Sequence, residues 1–371
     1  MAVRLKNLDE QVIVITGATS GIGLVTSRMA AKRGAKLVLA ARNEDALRTL
    51  TDEINTSGGN AVYIAADVGK EDDVKKIAAQ ALSQFGTFDT WVNNAGVSIY
   101  GKLEEILNAD SRQLFETNFW GVVYGSLTAV RTLKISGGAV INVGSTLSDR
   151  SIPLQGMYCA SKHAVKGFTD ALRMELESEN APVSVTLIKP AAIDTPYKEH
   201  AKNYLDVEPQ NPAPVYAPET VAETILHCAE NPTRDVFVGA GGKALSLLGK
   251  FAPRTADKIM EATMIDMQKT DKPTNGESND GLYDYSDLTL NERGGYEGHV
   301  ANSSIYTKAS LHPFITGAVF ALGAAGIAYA LMTRNDKNAV YVSPRALEEE
   351  SRRETFDQEN DGPLYGRSHI Y

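Results

Sequence analysis

Tyr158 and Lys162 stand four positions apart in Tyr-Cys-Ala-Ser-Lys. On a helix that spacing puts both side chains on one face, a single turn apart. A phenol with an ordinary pKa near ~10 is a poor base at neutral pH, and a neighbouring ammonium favours the phenolate. Such a pair can exchange a proton with a substrate hydroxyl or carbonyl oxygen. A second chemical feature lies far upstream, where Thr16-Gly-Ala-Thr-Ser-Gly-Ile-Gly23 follows an apolar run and opens onto a helical pattern. Its glycines allow a tight turn and a close approach to a pyrophosphate, which free N–H groups and the positive helix end would hold. A strand before and a helix after are the context that separates a dinucleotide turn from an ordinary glycine-rich loop.

The elements that must position these groups are legible as an alternation. Seven β-like runs, Val12–Thr16, Lys36–Ala40, Ala61–Ala65, Thr90–Asn93, Ala139–Val143, Val183–Ile188 and Asp235–Val238, are separated by segments of helical spacing such as Leu24–Lys32, Asp72–Phe85, Ser111–Leu133 and Tyr158–Glu177. Strands alternating with helices predict a doubly wound α/β fold on a seven-stranded parallel sheet, within residues 1–250. A Pro- and Asn-containing stretch from Tyr197 to Pro218 breaks the pattern and reads as a flap or substrate loop. Residues 251–308 read as a helical extension followed by a polar linker. In the extension Met260, Met264 and Met267 form a packing stripe, and after Lys269 the composition turns polar and turn-rich.

The glycine turn has the spacing Thr-Gly-x-x-x-Gly-Ile-Gly, and in this it resembles the short-chain dehydrogenase/reductase family. The resemblance continues through Asp67-Val68, Asn93–Gly96, Asn118, Ser145, Tyr158-x-x-x-Lys162 and Pro190–Thr195, in the family's order over the first two-thirds of the chain. It implies a Rossmann domain, often a dimer or tetramer, that interconverts a carbonyl and an alcohol with a nicotinamide cofactor. It implies Tyr158 as acid/base, Lys162 as its electrostatic and ribose-binding partner, Ser145 as donor to the developing oxyanion and Asn118 as the relay that holds its helix and a water leading to the lysine. Cofactor contacts then fall on Gly17, Thr19, Ser20, Gly21, Ile22, Gly23, Asp67, Val68, Asn94, Ala95, Gly96, Pro190, Ile193 and Thr195, together with Tyr158 and Lys162. Taken alone, Asp67 reads equally as a helix N-cap and Asn118 as a satisfied helix amide. Ala191 stands where the family usually has glycine, so a Cβ crowds the nicotinamide end.

At the end of the second strand an acidic residue would accept from a ribose 2′-OH and repel a 2′-phosphate. The sequence there is Ala40-Ala41-Arg42-Asn43. Arg42 can pair with a phosphate bidentately, which favours NADP over NAD; the alternative is a surface ion pair with Glu44 or Asp45.

Among 371 residues, 37 Lys+Arg against 46 Asp+Glu give a net charge of −9, with no basic run to engage nucleic acid. Cys159 and Cys228 alone can build neither a disulfide framework nor a zinc cluster, so no metal is expected. The start, Met1–Glu10, lacks the apolar region of a secretory signal. The far end carries no Asp, Glu, Lys or Arg from Ala309 to Thr333, and Phe314–Met332 has the length of a membrane span, with six Ala and three Gly among its 19 residues. Residues 309–333 are therefore expected to form a transmembrane helix, and 334–371 a polar tail. A cytosolic cofactor would place the catalytic domain on the cytoplasmic face. The expected protein is a membrane-tethered oxidoreductase acting on a small, lipophilic substrate. The rival is a non-catalytic membrane scaffold or redox sensor that retains the cofactor fold.

Overall fold

The computed structural model describes residues 3–274, 280–286 and 290–312, and further on 316–318, 321–323, 326–327, 345, 348–349 and 352. The chain divides into two compact units, Met1–Leu311 and His312–Tyr371. In the second, the described residues 316–318, 321–323, 326–327, 345, 348–349 and 352 are helical. The expected transmembrane helix lies mostly outside the described residues; among these, no helix is long and apolar enough to cross a membrane.

All seven anticipated strands form. They are β1 (Val12–Thr16), β2 (Lys36–Ala41), β3 (Asn60–Ala65), β4 (Thr90–Asn93), β5 (Gly138–Val143), β6 (Val183–Pro190) and β7 (Asp235–Val238). They pair in parallel in the order β7-β6-β5-β4-β1-β2-β3. The chain winds outward from β1 through β2 to β3, then returns to the other side of β1 with β4. That reversal makes the carboxyl ends of β1 and β4 a topological switch point, where open parallel sheets bind ligands.

Both faces of the sheet are covered, which is why its strands read as continuous apolar runs. Ile13, Ile15, Leu37 and Leu39 point to one face and pack with α1 (Gly21–Lys32), α2 (Glu44–Thr56) and α7 (Pro218–Glu230). Val12, Val14, Val38 and Val140 point to the other and pack with α3 (Glu71–Phe85), α5 (Gly121–Ser136) and α6 (Gly156–Ser178). The segment Ser111–Leu133, read as one helix, is three pieces: α4 (Asn108–Phe115), a π-helical turn Glu116–Trp120, and α5.

Beyond β7 the chain forms α8 (Ala240–Phe251), α9 (Pro253–Met267) and α10 (Ile305–Leu311). The Tyr197–Pro218 stretch is pinned by short pairings: Lys202–Asn203 beside Ile99–Tyr100, Val207–Pro209 against Lys269–Pro273, and Val215–Tyr216 between Ala192–Ile193 and Val300–Ala301. The segment after Lys269, polar in composition, nonetheless places Leu282 fully buried against Val97, Ile99 and Tyr158.

Candidate active site

The glycine turn leaves β1 with Gly17 at φ +66°, a left-handed conformation that glycine adopts without steric cost. A Cβ on Gly23 would lie 2.0 Å from the Gly17 carbonyl oxygen, so only glycine lets α1 begin this close to the strand. The next turn is locked to it. Asn94 donates through Nδ2 to the carbonyls of Thr16 (2.9 Å) and Gly17 (3.2 Å), while the Thr16 hydroxyl accepts from the backbone of Asn94 and Ala95. Beneath them Asn93, Asn142, Ser126 and Thr169 form a buried hydrogen-bonded ladder joining β4, β5, α5 and α6. Both banks of the switch point are thus fixed by satisfied polar groups, which are costly to break.

Tyr158 and Lys162 occupy the first turns of α6, both buried at 8% and 4% exposure. Lys162 Nζ lies 5.6 Å from the centre of the Tyr158 ring and donates to the Val143 carbonyl at 2.9 Å. Burial pushes the Tyr158 phenol up to about 12, and the hydroxyls of Tyr197 and Ser145 act the other way. Burial likewise pulls the Lys162 ammonium down to about 8. Loss of solvent thus raises the phenol here, and the nicotinamide charge expected to favour the phenolate alongside the ammonium would come only with the bound cofactor.

Ser145 caps the short turn Thr146–Ser148 after β5, accepting from Leu147 N–H at 3.0 Å. Asn118 sits in the π turn, fully buried, and exchanges two 2.8 Å bonds with the Val97 backbone while donating to Ser161 at 3.2 Å. Ser161 in turn donates to the Tyr158 carbonyl. Asn118 therefore ties the β4 loop to the catalytic helix, and a Cβ built on Gly96 would fall 3.3 Å from its Oδ1 and 3.7 Å from Lys162 Nζ. Asn118 lies at the centre of the π turn, a helical irregularity often found at functional sites.

The residues singled out from sequence distribute over two adjoining cavities. Gly17, Thr19, Ser20, Arg42, Asp67, Val68, Ala95 and Gly96 line a narrow one of about 100 Å³. Ile22, Asn94, Gly96, Ser145, Tyr158, Lys162, Pro190, Ile193 and Thr195 line a larger one of about 650 Å³. Gly21, Gly23 and Asn118 line neither and act on the backbone behind them. Asp67 is not an N-cap: its Oδ1 accepts from Gly69 N–H, and α3 begins after Lys70. The Ala191 Cβ is accommodated because Gly239 faces it, where a second Cβ would come within 3.0 Å. Cys159 is buried against Ile152 and Met260, a packing residue. Among the described residues no cluster of three metal-ligating side chains exists.

Arg42 is not paired with Glu44 or Asp45, which face Arg48. Its guanidinium donates instead to the Gly281 carbonyl at 2.6 Å. Three further residues of the site carry no spacing signal in the sequence. Tyr197 packs edge-on against Tyr158 with ring centres 5.5 Å apart, and its hydroxyl donates to Gln155 at 3.1 Å. Gln155 donates to Gln268, which closes α9 by donating to the carbonyls of Met264 and Pro153. The Met stripe of α9 is divided: Met260 and Met264 face the large cavity and the catalytic helix.

The profile of the short chain dehydrogenase family matches residues 11–205. An uncharacterized oxidoreductase of Bacillus subtilis, YxnA, is 50% identical over 322 residues, covering 86% of this chain and 90% of that one. A 3beta-hydroxysteroid dehydrogenase of Mediterraneibacter gnavus is 34% identical over 194 residues, 52% of this chain and 70% of that one. Among solved structures, a short-chain dehydrogenase/reductase from Burkholderia phymatum in complex with NAD aligns with TM-score 0.58 at 25% identity, covering 73% of this chain and all of that one. An alcohol dehydrogenase from Thermococcus sibiricus complexed with 5-hydroxy-NADP aligns with TM-score 0.54 at 28% identity, over 62% and 95%. The chain belongs to the short-chain dehydrogenase/reductase family. It is an oxidoreductase acting on hydroxyl donors.

Proposed function

We propose that this oxidoreductase is NADP-preferring and interconverts a bulky, apolar secondary alcohol and its ketone. The observation that carries the reading is the large cavity: Tyr158 and Ser145 stand in its wall, and most of the remaining lining is apolar, from Leu147, Ile152, Leu245, Leu248, Ile259, Met260 and Met264. Its volume of about 650 Å³ is shared between the nicotinamide end, against Ile22, Pro190, Ile193 and Thr195, and the substrate, whose end of the cavity is the apolar one. The hydroxysteroid dehydrogenase relative is consistent with a bulky, apolar substrate.

The residues present fit a nicotinamide cofactor. Gly17 and Gly23 leave the turn free of side chains, and among the described residues the Lys162 ammonium has one protein acceptor, Val143, which leaves donors for ribose hydroxyls. Bound there, the cofactor supplies or accepts the hydride. Tyr158, protonated at neutral pH, donates to a ketone oxygen during reduction and as phenolate removes the hydroxyl proton during oxidation. Ser145 donates to the same oxygen as charge develops. NADP preference rests on Arg42 and on the absence of a carboxylate at the end of β2.

The uncharged stretch 314–332 supports a membrane anchor that holds the catalytic unit on the cytoplasmic face, where a lipophilic substrate is concentrated. The test is hydride turnover by the purified full chain with NADPH and NADH, on ketones ranging from small and soluble to fused-ring and long-chain. NADPH-dependent turnover that rises with apolar size and disappears in Tyr158→Phe is the expected result. Turnover confined to small soluble carbonyls sinks the substrate reading, and equal use of NADH sinks the cofactor preference.

A further inference from the structure

Residues 280–286 and 290–296 lie beyond the 11–205 span of the family profile, yet both segments return to the glycine turn. Asp280 pairs with Lys202 at 3.0 Å, and Gly281 N–H donates to the His200 carbonyl at 2.7 Å. The Tyr283 hydroxyl donates to Asp110 at the start of α4. On the other bank Leu290 N–H donates to the Thr19 carbonyl at 2.7 Å, and Gly21 N–H donates to the Asn291 carbonyl at 2.9 Å. Asp194, beside the expected nicotinamide contact Thr195, accepts from the backbone of Gly294 and Tyr296. Leu290 is held at φ +61°, a conformation costly for a branched side chain, so these contacts override local preference. Both segments are therefore built onto the rim of the dinucleotide cleft.

Between these anchors, Gly281, Tyr285 and Ser286 line the same narrow cavity as Arg42, Asp67 and Val68. The Gly281 carbonyl holds the Arg42 guanidinium at 2.6 Å, in the wall of that cavity. Tyr285 lies half exposed, at 44%, and among the described residues has no aromatic or cationic ring partner. We propose that residues 281–286 are part of the cofactor site: Tyr285 is the outer face on which the adenine stacks, and the Gly281 carbonyl positions Arg42 beside the ribose. The proposal rests on the cofactor reading above. It assigns binding residues to a region in which the polar composition gave only a linker.

Two adenosine fragments without nicotinamide, 5′-AMP and 2′,5′-ADP, test this by calorimetric titration of the full-length protein, independently of hydride transfer. Tyr285→Ala should weaken both fragments about tenfold, the scale of a lost aromatic–base stack, and Tyr285→Phe should stay within about twofold of the wild type. An unchanged thermal midpoint without ligand keeps the comparison at the site. Unaltered affinity in Tyr285→Ala overturns the proposal, as does a Phe variant as weak as the Ala one. A wild-type protein that binds the two fragments equally defeats the NADP reading alone, since the Tyr285 comparison is still read on 5′-AMP. Failure of the wild type to bind either fragment overturns both.

Discussion

Because burial raises the Tyr158 phenol to about 12 and lowers the Lys162 ammonium to about 8, at neutral pH the tyrosine keeps its proton and the lysine stays mostly charged. The lysine binds its proton less tightly folded than unfolded, so from about pH 8 to 10.5 the unfolded chain holds more protons and stability rises with pH. Lys162→Met removes this term: the variant should lose turnover, and across that window wild-type stability should gain on it by on the order of 3 kcal/mol in denaturant titrations. Tyr197 makes an opposite kind of contribution: turned from Gln155 to the Tyr158 oxygen, its hydroxyl favours the phenolate. Tyr197→Phe should move the alkaline rise of the oxidation rate to higher pH; a pH–rate profile superimposable on the wild type counts against that role. Tyr158→Phe should cost about 10²–10⁴ in kcat, read by steady-state kinetics. Tyr158 and Lys162 were singled out by their four-residue spacing, and Ser145 by the family resemblance alone. Tyr197 was not, because a single tyrosine in a loop has no periodic partner, and only the fold brings it to Tyr158.

The helices that complete the large cavity dock on the turn after β5 through a glycine. A Cβ at Gly242 of α8 would fall 2.0 Å from Thr146 Cγ2, next to Ser145. Alanine favours a helix over glycine by about 1 kcal/mol, while overpacking costs about 1–3 kcal/mol. The clash wins: Gly242→Ala should lower stability modestly and raise KM for bulky ketones more than for small ones, measured over a substrate series. At this scale the strands were readable almost to the residue, because continuous apolar runs in a buried parallel sheet admit few other interpretations. The π turn at Glu116–Trp120 was not, since one extra residue barely perturbs a 3.6-residue periodicity. The segments 280–286 and 290–296 were hidden for another reason. They attach partly through backbone groups and partly through single long-range pairs such as Asp280–Lys202 and Tyr283–Asp110, and neither leaves a periodic pattern.

Across the whole chain, sheet order dictates where chemistry happens. The reversal between β1 and β4 opens the cleft, α6 carries Tyr158 and Lys162 to it, and the segments after β7 wall its far sides. The first compact unit ends at Leu311. A chain terminated after Leu311 should keep its turnover on a water-soluble ketone while leaving the membrane fraction, a separation checked by sedimentation and activity. Full-length protein found wholly in the supernatant defeats the anchor. The separation between the last strand and the wall of the cleft also has a consequence for biosynthesis. β7 is complete at Val238, but Tyr285 and Asn291 are translated only some fifty residues later. At about 5–20 residues per second, the nascent protein spends several seconds on the ribosome with its sheet encoded and its nucleotide cleft unroofed. During that interval a nucleotide can enter from the open side, before the chain that will enclose it has been made.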